Sequence, residues 1–281
     1  MTTLGAVFLP QLPPERLRSV ARAADEAGLD ELWLWEDCFW ESGVATAAAA
    51  LAWTERLRVG IGLLPVPLRN VAITAMEAAT LQRLFPGRII VGVGHGMQDW
   101  MGQAGARVES PVTLLREYLD ALTALLRGEK VTVSGRYVRL DRVGLEWPPA
   151  EPPPVYAGAI GAKTLALSRA YADGTILVAS STPEKVAEVR QLVGAENTIA
   201  VYLHTATGAG AEARMEAERA RWGYEDGRDC YAVGDANAVA ATVRRWAEAG
   251  ADTVVLQPTP DDPDPEGFMR FAGHEVAPLI R

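Results

Sequence analysis

Short apolar runs alternate with longer amphipathic ones along the whole chain, the pattern of strands and helices taking turns. Residues 4–9 (LGAVFL) form the first apolar run. Residues 14–27 follow as a helix, with proline where it begins and Gly28 where its C-terminus needs a residue tolerant of positive φ. The same pairing recurs at 31–35 with 44–53, 58–64 with 72–84, 89–94 with 111–126, 155–159 with 162–172, 175–178 with 183–193, and 198–204 with 211–221. A helix over 236–249 then feeds an eighth strand at 253–257, and the last helix falls within 265–279. Each strand is apolar nearly throughout, as happens when both faces are buried, so the pattern predicts an α/β fold: a (β/α)8 TIM barrel with right-handed crossovers. A doubly wound open sheet is the alternative. The 281 residues suit a single barrel domain, 1–281.

Two stretches interrupt the alternation, at about 128–154 and 205–234. The first reads as a hairpin (VTVSGRYVRL, turning at Ser134 and Gly135) followed by the extended, proline-rich EWPPAEPPP. The second is rich in Gly, Ala and charge and reads as a mobile insertion. Neither is long enough to bury a core of its own.

Composition removes several classes of function. Apolar residues make up 49% and charged residues 22%, which excludes disorder and fibrous structure. A net charge of −9 argues against covering nucleic-acid phosphates or an anionic membrane, since either needs a basic excess. No apolar run approaches the roughly 20 residues of a membrane span, and the first twelve residues lack the basic stretch and apolar core of a signal peptide. A cytoplasmic protein is expected. Two cysteines, Cys38 and Cys230, make no disulfide framework, and three histidines, His95, His204 and His274, make a His-rich metal site improbable; no metal is expected.

In a barrel, chemistry sits on the loops at the C-terminal ends of the strands. The fourth such loop (HGMQDWMGQAG, residues 95–105) follows Gly92, Val93 and Gly94 and is the densest in polar and flexible residues. It offers His95 as proton donor, cofactor contact or plain structural histidine. The fifth, from Ala159 through Ile160 and Gly161 to Thr164, joins a strand to a helix start, where backbone N–H groups and the helix dipole favour an anion. In the third (GIGLLPVP), glycines within the strand and prolines beyond it suggest a bulge supporting a planar ligand. The second (EDCFWES) brings Glu36 and Asp37 as acid–base candidates. Cys38 beside them reads as a buried, inert thiol, because adjacent carboxylates raise a thiol's pKa. Trp33, Trp35, Trp40 and Trp100 are placed to wall an aromatic pocket; Trp40 and Trp100 are the better candidates, and Trp33 reads as core.

The runs LWLWEDCFW, LRVGIGLLPVPLRN with AITAMEAATLQRLFPGRIIVGVGHG, VYAGAIGAKTLALSRAYADG and EAGADTVVLQPT, in this order, resemble the bacterial luciferase-like flavin- and deazaflavin-dependent oxidoreductases. The resemblance spans nearly the whole chain. It implies a TIM barrel that binds coenzyme F-420 or FMN at its C-terminal face. It places the cofactor ring against the bulge formed by Gly62, Leu63, Leu64 and Pro65, where relatives carry a non-prolyl cis peptide. It also puts Gly94, His95 and Gln98 beside the cofactor, and Ala159, Ile160, Gly161 and Thr164 on its phosphate. Sugar-phosphate dehydrogenases of the family have Asp-His-Phe where this chain has Asp37, Cys38 and Phe39, which counts against that substrate. Between the cofactors the resemblance favours F-420, whose glutamate tail would need a cationic lip; Arg69, Arg107 and Lys163 are the candidates.

The expected activity is hydride transfer between deazaflavin and a small, fairly hydrophobic organic substrate such as an enone or imine, with His95 and Asp37 as catalytic residues and the cofactor supplying the chemistry. FMN-dependent monooxygenation and a non-catalytic cofactor-binding relative are the alternatives. An aldolase or isomerase would use the same phosphate turn, but no strand carries a lysine for a Schiff base. A homodimer is expected, as family barrels commonly pair.

Overall fold

The computed structural model describes residues 2–224 and 230–280. Eight parallel strands close on themselves in the order β1 (Thr3–Phe8), β2 (Glu31–Leu34), β3 (Arg58–Pro65), β4 (Ile89–Gly94), β7 (Val155–Gly158), β8 (Gly174–Leu177), β9 (Thr198–Ala206) and β11 (Thr253–Pro258), with β11 returning to β1. Closure excludes the open sheet. Helices follow the strands: α1 (Leu17–Glu26), α2 (Gly43–Trp53), α3 (Val71–Leu84), α4 (Gln98–Gln103), α5 (Pro111–Leu126), α6 (Ala162–Tyr171), α7 (Pro183–Val193), α8 (Ala211–Trp222) and α9 (Ala236–Glu248). Among the described residues no helix is long and apolar enough to cross a membrane.

Alternation along the strands sorts the core into two layers. On β2, Leu32 and Leu34 point outward into the layer beneath the helices, while Trp33 points into the barrel with Val7, Ile90, Tyr156, Ile176, Tyr202 and Val255. Trp33 is wholly buried because β3 offers no side chain opposite it: a Cβ on its register partner Gly60 would lie 2.6 Å from the indole. Gly60 is therefore space for Trp33, and the bulge lies beyond it.

The first interruption is the expected hairpin, β5 (Val131–Ser134) against β6 (Arg139–Val143). Its turn is held by α5: the Glu117 carboxylate accepts from the backbone N–H groups of Arg136, Tyr137 and Val138 at 2.9–3.0 Å. The second stretch differs from expectation. Besides α8 it carries a short strand, β10 (Tyr231–Val233), parallel to the end of β9. β9 outruns β8, whose pairing with it ends at Val201, so its last residues have a free edge that β10 covers. Within that stretch residues 225–229 lie outside the described residues. The loop read after β4 also contains α4, and the last helix is α10 (Pro265–Arg270) and α11 (Ala277–Ile280) joined by a π-helical turn.

Candidate active site

The rim at the C-terminal ends of the strands divides into two halves. The first is built on β3, β4 and β7. The register of β3 against β4 slips between Ile61 and Leu64, and the Gly62–Leu63 peptide in this bulge is cis. Tyr202, inward on β9, donates its hydroxyl hydrogen to the Gly62 carbonyl at 3.1 Å. A Cβ at position 62 would lie 2.2 Å from that hydroxyl, so the approach requires glycine. Leu63 lies over the ends of β4 and β7, its Cδ2 2.6 Å and 2.3 Å from where Cβ atoms on Gly94 and Gly158 would stand.

Leu64 departs from expectation. Its side chain is buried in the outer layer beside the start of α2 and does not reach the rim. Strict alternation from the outward-facing Ile61 would turn residue 64 inward; the bulge inverts that phase and leaves the mouth to Leu63. Pro65 is buried against the backbone of Gly96.

His95 and Thr164, 69 residues apart, meet here: His95 Nε2 is 3.4 Å from Thr164 Oγ1. Burial holds the imidazole below its ordinary pKa, so it is neutral at pH 7; the backbone of Pro111 opposes this without closing a normal hydrogen bond to the buried Nδ1. Gly161 caps α6 with no side-chain acceptor on the first-turn N–H groups and no acid in that turn, and Gly161, Ala162 and Lys163 are exposed. A Cβ at Gly161 would meet nothing within 4 Å. The turn is open to an anion. Gln98 is exposed at the start of α4, and its carbonyl accepts from Arg107.

The second half is the β2–α2 loop with its neighbours. Of its three carboxylates, Glu36 is structural: it accepts from the N–H of Gly43 at 2.9 Å and pairs with Arg69 at 3.2 Å, while Arg69 also binds Glu77. Arg69 is thereby removed from the cationic lip. Asp37 and Glu41 have no ion pair among the described residues. Burial pushes Asp37 up to about 6; burial, with the Asp37 charge adding to it, pushes Glu41 up to about 7. Cys38 is buried, and burial followed by the charges of Glu36 and Asp37 raises its thiol, as expected of an inert cysteine.

Around both halves runs an apolar edge: Phe39, Trp40, Met97, Ile160 and Val178 are 42–67% exposed, with Trp100 half-buried on α4. Soluble proteins rarely collect exposed large apolar side chains at one end of a fold without a ligand for them. His204 stands apart, buried and hydrogen-bonded through Nε2 to the Tyr224 hydroxyl at 3.0 Å; burial, then Arg221, lowers it to about 4. A cleft of about 520 Å3 lined by Pro152, Val155, Tyr171 and Asp173 lies at the opposite end of the barrel, where β7 begins. Two rim groups escape the sequence reading: Tyr202 and Glu41. Tyr202 was accessible from strand register, as an inward partner of Ala200; Glu41 required knowing how its loop is placed.

Residues 3–222, well over half of the chain, match the sequence model of the luciferase-like monooxygenases. The chain belongs to that family. It is 30% identical over 191 residues to the 5,10-methylenetetrahydromethanopterin reductase of Methanolobus tindarius, covering 68% of this chain and 58% of that protein. It is 31% identical over 185 residues to the F420-dependent glucose-6-phosphate dehydrogenase of Nakamurella multipartita, covering 62% of this chain and 55% of that one. The matches thus span little more than half the length of these curated relatives. The fold superimposes, with a TM-score of 0.85 and 22% identity, on an F420-dependent secondary alcohol dehydrogenase in complex with an F420-acetone adduct, covering 100% of this chain and 99% of that one.

The residues present fit a planar cofactor carrying a phosphate. The uncapped α6 turn offers an open anion cradle, and His95 and Thr164 link that turn to β4.

Proposed function

We propose that the chain is a coenzyme F-420-dependent oxidoreductase that transfers a hydride between deazaflavin and a small, fairly hydrophobic organic substrate. The observation that carries this reading is the divided mouth: a half of small residues, with an open phosphate turn, faces a half that presents two unpaired carboxyls, inside an apolar edge.

When bound, the cofactor supplies the hydride chemistry. The chain's own residues do the rest. Gly161, Ala162 and Thr164 hold the phosphate; Gly62, Leu63, Pro65, Gly94 and Ala159 back the ring; neutral His95 hydrogen-bonds without adding charge. Trp40 and Trp100 cover an apolar substrate and exclude water, and Asp37 is placed to hold a proton for the reacting group. With Arg69 committed to Glu36 and Glu77, and Arg107 to Asp99 and the Gln98 carbonyl, Lys163 remains the cation for an acidic tail.

Calorimetric titration of the purified protein with F-420 and with FMN tests the reading. Binding of F-420, weakened tenfold or more by Gly161→Asp, supports it; preference for FMN together with oxygen consumption would establish the monooxygenase alternative, and heat from neither would sink both. A homodimer belongs to the same proposal, since Ile73, Met76 and Leu84 leave an exposed apolar face on α3 with Leu68 beside it.

A further inference from the structure

The backbone of the β3 bulge is the part of the mouth with the least support from its own sheet. The ladder with β2 ends at Ile61, and the ladder with β4 skips residues 62 and 63, so Gly62 and Leu63 belong to no strand pair. What holds them comes from inside the bore. Beneath lies Trp33, whose Cε3 would stand 2.9 Å from a Cβ on Gly62. Trp33 is itself fixed: its indole N–H donates to the buried Glu31 carboxylate at 2.9 Å, and Glu31 pairs with Arg58 at 3.0 Å. From across the bore comes Tyr202, on a strand four places from β3 in either direction round the barrel and 140 residues away in sequence. Its hydroxyl donates to the Gly62 carbonyl at 3.1 Å. Its ring stands edge-on to Trp33 and to Trp35, with centroids 6.0 Å and 5.5 Å apart and planes at 85° and 83°. Burial raises the pKa of this phenol, so it remains a donor at any working pH. On the open side the half-buried Leu63 lays its side chain over Gly94 and Gly158.

We infer that Tyr202 is a positioning residue for the cofactor: its hydroxyl, through the Gly62 carbonyl, fixes the height of the Leu63 peptide against which a planar redox ring rests. This deepens the cofactor reading above and depends on it. Tyr202 acts through the bulge and not by contact with the substrate, because its one hydroxyl hydrogen is committed to the backbone. Without that hydroxyl the aromatic ring stays clamped between the two indoles, while the Gly62 carbonyl loses its partner and the unpaired peptide is free to shift. Hydride transfer demands a fixed approach of donor and acceptor, so a bulge that moves slows the reaction even when cofactor and substrate are both bound.

The first test needs no cofactor. The sequence has three Gly–Leu peptides, 28–29, 62–63 and 144–145, so protein made with carbonyl-13C glycine and 15N leucine gives three correlated NMR signals, the middle one assigned by its loss in Leu63→Ile. Tyr202→Phe should move the 62–63 signal and leave the other two in place. A 62–63 signal that does not move would overturn the proposal. The second test uses the protein loaded with F-420, or with FMN if the unaltered protein prefers it. Tyr202→Phe should weaken cofactor binding about fivefold by calorimetry and displace the absorption band of the bound cofactor. With aldehydes, ketones and cyclic imines at saturating cofactor, kcat should fall about tenfold while the substrate KM stays within about twofold. Unaltered affinity and spectrum in the variant, or a loss confined to KM, would overturn the proposal and leave the cofactor reading intact. Failure of the unaltered protein to bind either cofactor would defeat that reading, and the proposal with it.

Discussion

Single atoms decide much at the barrel mouth. Gly62 is the clearest case, because its missing Cβ lets Tyr202 reach the backbone of the bulge. Gly62→Ala should cost roughly 1–3 kcal/mol by displacing Tyr202 and Trp33 and should weaken cofactor binding along with it, read by denaturant melts and calorimetry. His204 makes a pH prediction whose sign can be worked out. Its folded pKa, about 4, lies below the ordinary value of 6.5, so the unfolded chain binds the proton more readily and stability falls as pH drops from about 6.5 toward 4. Between pH 7 and 5 the native protein should lose about 2 kcal/mol more than a His204→Gln variant. Equal losses in urea melts would show that His204 is not buried as a neutral group.

Elements show where pattern is a sufficient guide and where it is not. The strands were legible because a parallel barrel buries both faces of each one, which leaves an apolar run that no loop needs. The bulge in β3 was legible as a location, from Gly60, Gly62 and the prolines, but not in its consequence for Leu64, because one extra residue reverses every inward and outward assignment after it. β10 was missed because three residues carry too little pattern, and its cause lies in the overhang of β9. The hairpin depends on a helix rather than on its own turn. Burial opposes, but three backbone N–H donors outweigh it and hold the Glu117 carboxyl below its usual pKa. Glu117→Ala should cost about 2 kcal/mol and leave the amides of Tyr137 and Val138 exchanging faster than those of β4, measured by hydrogen exchange.

At the scale of the molecule, the barrel gathers at one rim groups from loops more than a hundred residues apart, and its layered interior gives them a solid floor. The apolar face of α3 belongs to this scale too. If the chain pairs through it, Met76→Glu should convert a dimer to a monomer in light scattering at micromolar concentration, with little change in melting temperature beyond what dissociation causes. A monomer in the unaltered protein would remove that part of the proposal.

The chain's order of apolar and polar residues was enough to specify eight strand–helix units and the loops on which chemistry would sit, since burial on both strand faces and capping at helix ends are local, periodic demands; that the sheet closes, and does not stay open, was decided by the pairing of β11 with β1. Which of those loop residues work together was decided only in three dimensions. Glu36 and Asp37 are neighbours of one chemical type, yet the first is spent on Arg69 and the second has no ion pair among the described residues. Charge pairing and desolvation depend on what arrives from elsewhere in the fold, and no periodicity along the chain encodes that.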